Sequence, residues 1–126
     1  MRFWMMLVLV FAAGCAKESV PKNGHAKMSM SKFEREVLES PAPVLVEFGI
    51  KDCQPCRLLD PILDRLEKDM RVVRVDAEEN PELATRFDVS SFPAIFFIVP
   101  GESPVRYQGP RSEAFLRAAF AKLSTK

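Results

Sequence analysis

Val44-Leu45-Val46-Glu47-Phe48-Gly49-Ile50-Lys51-Asp52-Cys53-Gln54-Pro55-Cys56 is the stretch on which the fold turns. It reads as a buried strand, a short loop, and then two cysteines opening a helix. Cys53 and Cys56 are three residues apart, so on a first helical turn both sulfurs lie on one side and can close a small disulfide. The first cysteine faces the unpaired N–H groups and the positive end of the helix dipole, which favour a thiolate. Only the thiolate is a nucleophile, so the spacing predicts a reactive thiol and thiol–disulfide chemistry.

Around this stretch lies a chain of 126 residues, enough for one domain and little more. With 48% hydrophobic residues and 10 Phe it can fill a core without a disulfide framework. A formal net charge of +1 and the lack of any run of like charges give no case for a nucleic-acid partner. Three cysteines is an odd count, and the N-terminus accounts for it. Met1-Arg2 is a minimal positive region, followed by an apolar run from Phe3 to Ala13 that includes Trp4, the chain's single Trp. That run is shorter than the ~20 residues needed to span a bilayer, but it suits a signal-peptide core. Ala12-Ala13-Gly14-Cys15 is similar to a bacterial lipobox, in which the cysteine is acylated and becomes the new N-terminus, although Leu is usual where Ala12 stands. Cleavage after Ala16 and an uncleaved anchor are the alternatives. The expected organisation is a leader over 1–14, a flexible tether over 15–30 with lipid on Cys15, and a domain over 31–126. Export would put the cysteine pair outside the cytosol, where disulfides persist, with inner or outer membrane left open.

Along the chain, Ala16 to Met30 has no apolar period and reads as mobile. His25, the only histidine, lies there; as a metal ligand it would need partners this chain lacks, so no metal site is expected. Ser31 with Glu34 has capping-box spacing. Leu58, Leu59, Ile62, Leu63 and Leu66 recur at helical spacing after the cysteines, interrupted by Pro61, which should kink the helix. Arg71–Asp76 is a second strand, Asn80-Pro81 caps and starts a short helix, and Ala94–Val99 is an apolar run suited to a strand covered on both faces. Val105–Gln108 is a shorter strand, and Ser112 caps a last helix carrying Phe115, Leu116, Ala119, Phe120 and Leu123. Strands alternating with helices predict an α/β fold with a parallel core and an antiparallel terminal hairpin.

This order resembles the thioredoxin family over about residues 31–124. The carriers are Val46-Glu47-Phe48, Cys53-Gln54-Pro55-Cys56-Arg57, Pro61-Ile62-Leu63, Val75-Asp76-Ala77-Glu78-Glu79-Asn80-Pro81 and Val89-Ser90-Ser91-Phe92-Pro93. The resemblance implies a central mixed sheet of about four to five strands flanked by helices. It implies an attacking Cys53, a buried resolving Cys56, and a cis-proline at Pro93 that faces the disulfide. Phe92 would then offer its backbone to an extended substrate, and Gly109 would keep the neighbouring loop free of a side chain. Glu47, in a central strand, should be poorly solvated, which raises its pKa unless a cation partners it. Thioredoxins carry an Asp there and a Lys on the neighbouring strand, where Arg74 falls. The expectation is that Glu47 accepts the Cys56 proton with Arg74 modulating it.

Two departures bear on the rim. Asp52 replaces the family's Trp before the first cysteine and should oppose the thiolate, with Lys51 and Arg57 compensating in part. Gln54-Pro55 replaces the usual Gly-Pro, so Pro55 is kept between the cysteines while its neighbour changes. The expected activity is therefore thiol–disulfide exchange with protein partners, including a membrane or periplasmic redox protein. The reducing direction is favoured, no cofactor is required beyond the cysteine pair, and the protein is expected to be monomeric. An oxidase or isomerase, and a binding or assembly module whose cysteines are incidental, are the alternatives.

Overall fold

In the structure, a computed structural model that describes residues 25–125, Val44–Gly49 forms the fully buried strand β1 at the heart of the sheet. The leader, Cys15 and the tether up to residue 24 lie outside the described residues. In chain order the elements are a short helix α1 (Met30–Phe33) that continues as a π-helical turn over Glu34–Leu38, then β1, α2 (Gln54–Leu66) and β2 (Arg71–Asp76). There follow α3 (Pro81–Arg86), β3 (Ala94–Ile98), β4 (Val105–Gln108) and α4 (Glu113–Ser124). The four strands form one mixed sheet in the order β2-β1-β3-β4, within the range expected.

β1 pairs in parallel with β2, while β3 runs antiparallel to β1 and β4 antiparallel to β3. The parallel core is thus a single pair, smaller than the alternation of elements suggested. The length of α3 explains why. Six helical residues rise about 9 Å, whereas a strand of six covers about 20 Å. The connection does not return along the sheet, so β3 starts at the end where β2 finishes.

Alternation along β1 splits the core into two layers. Val44, Val46 and Phe48 pack with Phe33, Val37, Leu83 and Phe96 on one face. Leu45 packs with Leu59, Leu63, Leu66, Phe97 and Leu116 on the other, under α2 and α4. Glu47 follows Leu45 by two residues and so points to the α2 face. The stripe that α2 buries is Cys56, Leu59, Leu63 and Leu66. Leu58 lies about 100° round the helix from Leu59 and is 67% exposed, so it is not part of the core face that the spacing assigned to it. The helix runs through Pro61 as one element.

The N-terminal boundary differs from expectation. Ser29, not Ser31, caps α1, its hydroxyl accepting the Lys32 N–H at 3.2 Å. Residues 25–30, read as the end of a mobile tether, are docked on the domain. Ala26 forms a parallel bridge to Val75 on the outer edge of β2, its N–H donating to the Arg74 carbonyl at 3.1 Å. Its carbonyl accepts from the Asp76 N–H at 3.3 Å, and Met28 and Met30 pack on the core. Asn80 precedes α3 as expected but makes no side-chain capping bond. Its buried amide instead accepts from the Met28 N–H at 2.8 Å and donates to the carbonyls of Ala26 (3.0 Å) and Asp76 (2.7 Å).

Candidate active site

Cys53 and Cys56 are disulfide-bonded, with Cα atoms 5.2 Å apart. Cys53 is the N-cap of α2, and its sulfur accepts the Cys56 N–H at 3.2 Å. That sulfur therefore already sits on a donor of the unsatisfied first turn, where negative charge is favoured. Pro55 occupies the first turn, where its missing N–H costs no helical hydrogen bond. Cys53 is 9% exposed and Cys56 2%, so both are buried and Cys53 is the more accessible of the two. Asp52 adopts φ 59°, a left-handed conformation that Asp tolerates better than most residues. Its exposed carboxylate lies 3.5 Å from Arg57 Nη2, so the compensation expected of Arg57 is a direct contact.

The register brings the rest of the rim to the same end of the sheet. Phe48 at the end of β1 opposes Ala94 at the start of β3, which opposes Gln108 at the end of β4. Pro93, with a cis bond from Phe92, and Gly109 consequently share the end from which the Cys53 loop emerges. Gly109 has φ 79° and donates its N–H to the Pro93 carbonyl at 2.9 Å. A Cβ there would meet nothing closer than Arg111 Nη1 at 3.9 Å, so within this chain it is backbone conformation that calls for glycine. Gln108, which sequence reasoning missed, ties the same loop down by donating to the carbonyls of Ser91 (2.9 Å) and Pro93 (3.1 Å). Half-buried Phe92 lines a groove of about 490 Å³ with Ile50, Ala77, Pro81, Thr85 and Val89.

Below this rim, Glu47 is 0% exposed. Arg74 is its register partner on β2, but the guanidinium turns to α2. It contacts Asp64 at 2.7 Å, Glu67 at 3.0 Å and Asp60 at 3.9 Å. The cation that reaches Glu47 comes instead from the segment read as tether: His25 Nε2 lies 2.6 Å from Glu47 Oε2. The approach is off-line for a full hydrogen bond, and both Glu47 oxygens, His25 Nε2 and Arg74 Nε are buried without a well-aligned partner. Burial drives the Glu47 pKa above its ordinary 4.5, with His25 and, more weakly, Arg74 pulling it back only in part. For His25 burial acts in the opposite sense, but the adjacent carboxylate outweighs it and the ring titrates above 6.5.

The structure places Cys53, Cys56, Pro93, Phe92 and Gly109 at one end of the sheet and Glu47 on the α2 face of β1. Arg74 lies beside Glu47 without pairing to it. His25 was missed because its segment has no apolar period. Among the described residues no group of three or more His, Cys, Asp or Glu could hold a metal ion, and no helix is long and apolar enough to cross a membrane.

A family model for thioredoxin matches residues 24–122. The thioredoxin of Rickettsia bellii is 39% identical over 74 residues, 56% of this chain and 70% of that one. The thioredoxin of Mycobacterium bovis is 32% identical over 99 residues, 75% of this chain and 85% of its own length. Among solved structures, thioredoxin from Fasciola hepatica superposes with TM-score 0.69 at 25% identity, covering 79% of this chain and 99% of that one. A mutant thioredoxin from Halobacterium salinarum gives 0.72 at 23% identity over 82% and 93% of the two chains, a match of fold alone.

Proposed function

The chain belongs to the thioredoxin family and is a thiol–disulfide oxidoreductase; from that premise we propose that it reduces protein disulfides outside the cytosol, held to a membrane by lipid on Cys15. The observation that carries the redox role is the bonded pair at the start of α2, with the Cys53 sulfur on the Cys56 N–H and Cys56 buried.

In the reducing direction the Cys53 thiolate attacks one sulfur of a substrate disulfide, forming a mixed disulfide and releasing the other sulfur as a thiolate. Cys56 loses its proton to Glu47, and its thiolate attacks Cys53. The Cys53–Cys56 bond forms, the Cys53–substrate bond breaks, and the substrate carries away two electrons as two thiols. A thiol partner at the membrane or in the periplasm must then reduce the pair again. No dissociable cofactor enters this cycle. Burial of Glu47 supports its role as acceptor, since a carboxyl with a raised pKa takes a proton more readily than a solvated one. Pro93, Phe92 and Gly109 would position an extended substrate segment, with Asp52 and Pro55 adjusting Cys53 and Arg74 adjusting Glu47.

The reduction potential of Cys53/Cys56, read by thiol alkylation across a redox buffer series, tests the direction. A value near or below roughly −250 mV supports a reductant, and one around −120 to −180 mV makes the protein an oxidant or isomerase. A Glu47→Gln variant that resolves mixed disulfides at the parent rate would remove Glu47 from the mechanism. A Cys53→Ser, Cys56→Ser double variant with full biological activity would leave only a binding module. The anchor is tested by Cys15→Ser, which should lose lipid labelling and move the protein from the membrane to the soluble fraction.

A further inference from the structure

Glu47 is the most deeply buried charged group among the described residues, and the side chain in contact with it is that of the first of them, His25. Ala26 bridges the outer edge of β2, yet His25 touches Glu47 on β1. Its imidazole must therefore lie across the α2 face of β2. Space for it comes from Gly49: an added Cβ would collide with His25 Nε2 and Cε1. Glycine inside a strand often marks such a close approach. The docking is held by Asn80, whose amide binds Ala26 and Met28 on either side of Lys27.

We propose that His25 is a positioning residue for Glu47: seated in the notch above Gly49, it fixes the carboxylate and carries its proton to solvent as Cys56 resolves the mixed disulfide. The inference rests on the role given to Glu47 above. Its physical basis is access. Glu47 is 0% exposed and Arg74 7%, whereas the His25 side chain is 11% exposed and reaches the surface. Charge points the same way. Facing Glu47 are Arg74 on β2, Asp60 on α2 and uncharged Ile95 on β3, while Asp60 and Asp76 act on His25. Arg74 is already shared by Asp60, Asp64 and Glu67, so His25 is the cation whose nearest carboxylate is Glu47. In each turnover Glu47 takes one proton from Cys56, and the imidazole releases one to water. The pair then returns to its starting charge, with no oxidant or reductant beyond the disulfide exchange itself.

The test is single-turnover resolution of a Cys53–thionitrobenzoate mixed disulfide in the full chain, followed by thionitrobenzoate release across a pH series. Removing the nearby cation lets the Glu47 pKa climb further, so His25→Gln should move the acid limb of the rate up by roughly 1 pH unit or more. That is about a tenfold loss on the limb. Gly49→Ala keeps the imidazole but denies it the notch, and should reproduce the shift. Glu47→Gln should abolish the limb, and the double variant His25→Gln, Glu47→Gln should match it. Parent-like profiles for His25→Gln and Gly49→Ala beside an altered Glu47→Gln overturn the His25 role alone. So does a uniform slowing at every pH, which marks a structural effect. A parent-like Glu47→Gln removes the underlying role of Glu47 and the inference with it. Should the His25 variants not fold, the single histidine gives one ring signal by NMR in the parent chain. It should titrate above 6.5 and fall back in Glu47→Gln. Identical titrations in the two proteins overturn the inference.

Discussion

The mouth of the active site and the pocket beneath it are built in opposite ways. At the mouth, Cys53 caps α2, accepts the Cys56 N–H and is bonded to Cys56, so its geometry comes from four consecutive residues. In the pocket, Glu47 on β1 meets His25 from before α1, beside Arg74 on β2, in space left by Gly49 and under the clamp of Asn80. One is set by local backbone chemistry, the other by the whole fold. Damage to the cysteine pair should therefore change the reaction and leave stability nearly intact, whereas damage to the pocket should change both.

The sharpest way to break this contrast is at the sulfurs. Cys53→Ser should drop disulfide reductase activity to background, and Cys56→Ser should trap substrate as a stable mixed disulfide visible by mass spectrometry under non-reducing conditions. Substantial turnover by Cys53→Ser would remove the mouth from the chemistry. Next comes Asn80→Ala. It deletes three side-chain hydrogen bonds, one of which leaves the Met28 N–H without its acceptor. A loss of about 1–3 kcal/mol in urea unfolding is expected, together with the acid-limb shift predicted for His25→Gln. Loss of stability without that shift would separate the clamp from the pocket. Gly109→Ala forces a Cβ into the left-handed region at φ 79° and should cost about 1–2 kcal/mol.

Smaller is the pH dependence of stability. Glu47 and His25 both have raised folded-state pKa values, so the native state binds more protons than the unfolded chain. The contribution of Glu47 is lost as pH rises from 4.5 through its folded value, and that of His25 as pH rises from 6.5 through its own. Glu113, half-buried and held below its ordinary range by contacts with Arg65 and Arg117, acts in the opposite sense, and only as pH falls below about 4.5. Urea midpoints should thus decline from pH 5 toward 8, about as these linkages require, and Glu47→Gln should flatten the decline. Smallest is Asp52→Asn. Its carboxylate is exposed and already near Arg57, so Cys53 alkylation should quicken by no more than about threefold.

The same contrast explains what the sequence revealed. The cysteine spacing, the apolar run of β1 and Phe92-Pro93 before β3 are short-range signals, and they located the mouth and the buried position of Glu47. His25 was illegible because nothing in 16–30 has a period, and its partner is 22 residues away on another element. Its trace was on the other side of the contact, in a glycine at the end of a fully buried strand. Asn80 was legible as a helix start, but its amide serves Ala26 and Met28, a use that local pattern does not encode. Arg74 was placed correctly in register with Glu47. Asp60, Asp64 and Glu67, which draw its guanidinium away, meet it from another element, and local pattern does not encode that contact.

The bridge at Ala26 also bears on how copies of this domain treat one another. β2 lies at one side of the sheet, and an open strand edge is a template for a stranger's strand. Ala26 occupies the Arg74 carbonyl and the Asp76 N–H on that side. The segment that brings His25 to Glu47 therefore also covers part of that edge, and cutting it away should leave a domain more prone to pair edge to edge.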